Sequence, residues 1–91
     1  MPELWFGPAA DRALDELAAD GSRRRLFERV NALLDDLEHD ANQRHLRRHR
    51  FQIGLWGVVV QSGSDEWIVL WEPHSELDDA IVIQYVGPSA F

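Results

Sequence analysis

"LWGVVVQSGSDEWIVLW", residues 55–71, decides the architecture of this chain. Two runs of β-branched and aromatic residues, "LWGVVVQ" (55–61) and "WIVLW" (67–71), flank "SGSDE", a segment of turn formers. Runs of strand length on either side of such a segment predict a β-hairpin. A third run, "AIVIQYV" (80–86), follows "EPHSELDD", where Pro73 ends the second strand because it has no N–H for a ladder.

Towards the N-terminus the period changes. Leu26, Val30, Leu33 and Leu37 recur at helical spacing and make one apolar stripe, broadened by Phe27 and Leu34. Ser22 is placed to cap this helix, which runs to about Asp40. Before it, Ala10, Ala13, Leu14, Leu17 and Ala18 mark a first helix, with Pro8 at its first position and Gly21 where a left-handed C-cap belongs. The short link between the two predicts an antiparallel helical hairpin. "ELWF" (3–6) reads as a short strand ahead of both. The order strand, helix, helix, three strands gives a single α+β domain over 1–91, its helical hairpin packed on one face of a twisted, mostly antiparallel sheet.

The strands are apolar on both faces, with Trp67, Val69, Trp71, Ile81 and Ile83 alternating with Ile68, Leu70, Val82 and Val86. Two short helices cover one face. Either the sheet tucks its second face under loops, or a partner chain or second copy covers it, since exposed apolar patches mark interaction sites. Trp56, Val58, Trp67 and Trp71 are the residues expected to meet that partner.

Composition narrows the function. The chain has 91 residues, a net charge of -7, 45% hydrophobic residues and no cysteine, so disulfides and thiolate chemistry are excluded. No export leader is visible and no apolar run approaches the ~20 residues of a membrane span, which predicts a soluble, cytoplasmic protein. All nine cationic residues are arginines within 1–50; residues 51–91 carry acids and neither lysine nor arginine. Such a field repels nucleic acid generally, so phosphate contact has to be local.

"QRHLRRHR" (43–50) is the place for it. Leu46 is its one apolar residue, and it reads as a loop leading into Phe51. Arginine's planar fork suits phosphate or carboxylate, and His45 and His49 titrate near neutrality. The alternative is a solvated loop balancing remote acids. Arg23-Arg24-Arg25, at the start of the second helix, reads as paired with Glu28 and with Asp20 or Glu16, or as meeting a partner's acidic surface. His74, among Glu72, Glu76, Asp78 and Asp79, matches no metal-ligand spacing, and no cofactor motif is present.

The order of elements, with "GPAADRALDEL", "HLRRHRFQIGLWGVVV", "WIVLWEP" and "AIVIQYVGP", resembles the RelE/ParE superfamily, the toxin halves of bacterial toxin–antitoxin pairs, over residues 3–88. The resemblance implies a compact toxin whose open sheet face is wrapped by a cognate antitoxin. It implies one of two activities: RelE-like, metal-independent cleavage of mRNA on the ribosome, or ParE-like inhibition of DNA gyrase. Cleaving members carry basic residues on the central strands and an arginine and a tyrosine near the C-terminus. Here those places hold Gly57, Val59, Trp67, Ile68 and "GPSAF". Cleavage would then fall to His45, His49 and Arg48, with Arg44, Arg47 and Arg50 holding the substrate. The competing class is an acidic, non-enzymatic binding module, immunity-like in kind.

Overall fold

The turn at Gly63-Ser64 fixes the hairpin that the sequence announces. In the computed structural model, which describes residues 3–40, 49–50 and 55–89, Gly63 takes φ 60° and the strands meet immediately on either side. Ser62 pairs with Asp65, and the ladder continues through Val60–Trp67 and Val58–Val69 to Trp56–Trp71. These strands are β3 (Trp56–Ser62) and β4 (Asp65–Pro73); β4 is longer than its apolar run because Asp65 and Glu66 belong to it. The chain opens with β1 (Glu3–Phe6) and α1 (Pro8–Ala19). A 3-10 turn (Gly21–Arg23) and α2 (Arg24–Asp40) follow, then β2 (His49–Arg50) precedes the hairpin and β5 (Ala80–Pro88) closes the sheet.

The sheet order is β1-β5-β4-β3-β2. Neighbours run antiparallel except β1 and β5, which pair in parallel with Glu3 beside Ala80 and Phe6 beside Ile83. The expected α+β arrangement, a helical hairpin on a mostly antiparallel sheet, is what the chain adopts.

One irregularity shapes the core. The β4–β5 ladder pairs Trp71 with Ile83 but Leu70 with Tyr85, so Gln84 is an extra residue on β5. This bulge lets Ile83 and Val86, an odd number of positions apart, face the same way. Both are buried with Ile81 beneath the helices. Strict alternation had set Val86 on the opposite face from Ile83; the bulge reverses that.

Leu26, Val30, Leu33 and Leu37 form the stripe of α2 that meets Val60, Trp67, Val69 and Trp71. Ala10 and Leu17 bring α1 onto the same layer. Trp71 is fully buried, its ring 6.5 Å from that of Trp56 and inclined to it by 29°.

The turn between the helices departs from the caps read in the sequence. Gly21 is not left-handed; Gly63 alone has positive φ among the described residues. Ser22 does not cap α2 either. Asp20 does that work one turn earlier, accepting from the Ser22 hydroxyl at 2.6 Å and the Ser22 backbone N–H at 3.0 Å. Those two bonds hold the Asp20 carboxyl below its ordinary pKa against the opposing effect of desolvation, and the charge of Arg23 adds a lesser pull in the same direction as the bonds. An aspartate accepting a local N–H competes well with a glycine cap, so the chain tightens into a 3-10 turn.

Candidate functional site on the helix-free face of the sheet

The hairpin register assigns every strand residue to a face. Even-numbered β3 residues and odd-numbered β4 residues share the helix-covered side, since Val58 stands opposite Val69 and Trp56 opposite Trp71. All four residues expected to meet a partner, Trp56, Val58, Trp67 and Trp71, therefore lie under the helices. Trp67 and Trp71 are buried there, while Trp56 and Val58 are half-buried against the same core. The helix-free face belongs instead to Val59 on β3, Ile68 and Leu70 on β4, and Val82 and Tyr85 on β5.

That face is partly covered within the chain. Ile68 and Leu70 are buried in a second, small cluster with Leu55, and Tyr85 packs against it. The Tyr85 ring lies along its strand where a side chain on Gly87 would otherwise stand, and its hydroxyl donates to the Pro88 carbonyl at 3.0 Å. Around this cluster apolar surface stays in solvent: Val59 is 41% exposed and Trp5, in register with Val82, is 45% exposed. The centre of the face is thus tucked within the chain, and its margin is open.

Beside Trp5 the β4–β5 loop is braced by His74. Its Nδ1 accepts the backbone N–H groups of Glu76 (3.0 Å) and Leu77 (3.1 Å), and its ring centroid lies 5.4 Å from that of Trp5. With Nδ1 so committed, His74 organises the loop, and Leu77 within it is 42% exposed.

Apart from the Tyr85 hydroxyl and His74, the polar groups here are carboxylates and amides. Glu72 accepts from Gln84 at 3.0 Å, and Glu66 from Gln61 at 3.3 Å. Strands β3, β4 and β5 contribute no lysine or arginine. Nothing on these strands can neutralise a phosphate, whereas apolar side chains with amide and carboxylate neighbours suit contact with protein.

Of the basic stretch, Arg44, His45, Arg47 and Arg48 lie outside the described residues. His49 and Arg50, read as part of a loop, form β2 instead, in register with Gly57 and Trp56. The end of the stretch is thereby held at the sheet edge, next to the strand that carries Val59. The sequence reading passed over Trp5, Val59 and Tyr85 as site residues. Trp5 could not have been found from pattern, because a four-residue strand gives no sign of pairing in parallel with the last one. Among the described residues no helix is long and apolar enough to cross a membrane, and no cluster of His, Asp and Glu could hold a metal ion.

No relative decides the matter. No family model, curated protein or solved structure matches this chain.

Proposed function

We propose that this protein is the toxin component of a bacterial toxin–antitoxin pair, acting in the cytoplasm by gripping a protein target with the helix-free face of its sheet. A cognate antitoxin covers the same face and neutralises it. The observation that carries this reading is the apolar margin of that face, with Val59 and Trp5 in solvent beside the Ile68–Leu70 cluster. The resemblance of chain order and strand phrases to RelE/ParE toxins supports it.

Between the two activities that the resemblance implies, the face favours the ParE-like one. Cleaving RNA at a 2′-hydroxyl requires stabilised charge on the phosphate. Strands β3, β4 and β5 supply Glu66 and Glu72 instead of cations. RNA cleavage would rest wholly on Arg44, His45, Arg47, Arg48, His49 and Arg50.

Inducible expression in a bacterium tests the proposal. Growth arrest relieved by a small protein encoded beside this one is the expected result, and Val59→Asp should abolish arrest while the protein melts normally. Unchanged growth on induction would replace the toxin by a plain acidic binding module. Changing Arg47, Arg48 and Arg50 together to Ala separates the activities. Loss of an RNA affinity that falls with salt at a log–log slope near −0.7 per phosphate would point to mRNA. Loss of arrest with no such RNA binding keeps the protein target.

A further inference from the structure

The arginine triplet plays no part in the face just described. Arg23 closes the 3-10 turn, Arg24 and Arg25 open α2, and the first turn of α2 holds no acid to offset them. Opposite stands the β3–β4 turn. Between the two runs an open cleft of about 420 Å³, walled by Arg23, Arg24 and Arg25 on one side and Ser62, Ser64 and Asp65 on the other.

The intramolecular partners of these guanidinium groups are weak. Arg24 meets Glu28 at 3.5 Å, but the two side chains are 83% and 64% exposed. Arg23 meets Asp20 at 3.8 Å, beyond hydrogen-bond distance, and its guanidinium also sits 5.8 Å from the Trp67 ring centroid. No carboxylate among the described residues pairs with Arg25. Exposed pairs of this kind contribute little, so turning the arginines into the cleft costs little. Three arginines with no acid in the first turn of α2 make the local field positive, which a compact anion would neutralise.

We propose that this cleft binds the phosphate group of a small phosphorylated ligand. Guanidinium forks meet phosphate oxygens in pairs, and the hydroxyls of Ser62 and Ser64 supply neutral donors from the facing wall. Asp65 is the one carboxylate lining the cleft, which leaves the wall net positive. The volume falls in the range of ligand pockets, roughly 300–1,000 Å³. Size selects against a long polyanion. A phosphate inside the cleft lies within about one Debye length (~8 Å) of the arginines, whereas a polymer leaving it meets a protein of net charge -7.

The test is a titration of the full ¹⁵N-labelled chain with inorganic phosphate, against chloride at matched ionic strength. Saturable shifts are expected at Gly21–Leu26 and Ser62–Asp65. Arg25→Gln should weaken binding about tenfold or more, and Arg25→Lys should fall between it and the wild type. Arg29→Gln, one turn further along α2 and outside the cleft, should change nothing. Thermal melting of each variant confirms that it is folded. Shifts that do not saturate, or that spread equally to Arg12 and Arg29, would overturn the proposal in favour of a diffuse ion atmosphere. Equal phosphate affinity in Arg25→Gln would overturn it as well. Tighter binding of a single-stranded RNA or an acidic peptide through the same residues would show that the triplet serves a polymer instead.

Discussion

Val59 and Val69 are the same side chain on opposite faces of the sheet, and replacing each by alanine tests the face assignment directly. Val69 is completely buried, opposite Val58 and Val86 in the helix-covered core. Val59 is 41% exposed. Truncation of either removes two methyl-sized groups, each contributing about 0.8 kcal/mol when fully buried, with a further cavity penalty only where the surroundings cannot collapse. Val69→Ala should therefore cost about 2–3 kcal/mol. Val59→Ala should cost under about 1 kcal/mol, since nearly half of the side chain is already in water. A stability of roughly 5–15 kcal/mol makes the first change large and the second small. Urea titrations read both from the unfolding midpoint, provided the slope is unchanged. If Val59→Ala proves as destabilising as Val69→Ala, the helix-free face is a closed core, and the partner surface assigned to it disappears.

Three further outcomes follow from local geometry. Leu33→Ala should cost about 2–5 kcal/mol in the same titration, towards the lower end because Leu33 lies at the margin of the core, 8% exposed. Gly63→Ala should cost about 1 kcal/mol by thermal melting, although nothing lies within 4 Å of the added methyl, because φ 60° strains any residue with a Cβ. Asp20 ionises more readily in the folded chain than in the unfolded one, so its stabilisation is fully present above the ordinary pKa of 3.8 and is lost as pH falls through the lowered folded value. Asp20→Ala should therefore melt earlier at neutral pH and lose less stability than the wild type on acidification.

The elements were legible in the sequence because each carries its own period. The α2 stripe and the three strand runs stand within two residues of their places. What a period cannot carry is which side of a strand faces the core. With apolar residues on both sides, alternation is mute, and the decision falls to the turn length at Gly63-Ser64 and to the bulge at Gln84. That is why Trp67 and Trp71, the residues most tempting as partner contacts, proved to be core, and why Val59 was passed over. Large side chains in a small domain go where most area can be buried, and the helices provide it. The caps failed for a related reason. Asp20, Gly21 and Ser22 each favour a helix end, and only three-dimensional geometry chooses among neighbours. The arginine triplet was visible as an oddity, but its facing wall comes from residues forty positions away.

The parallel seam between β1 and β5 has a consequence for synthesis. Residues 3–6 emerge from the ribosome long before their partners at 80–83. The helical hairpin can form early, but the layer beneath it stays incomplete until β5 is made. Through that interval the apolar stripe of α2 has only the nascent β3–β4 hairpin to lie on, and Trp5 has no neighbouring strand. Closing so distant a contact is a slow step that exposes aggregation-prone surface. The window for holding factors, and for misassembly between chains on one messenger, therefore stays open until β5 has been made.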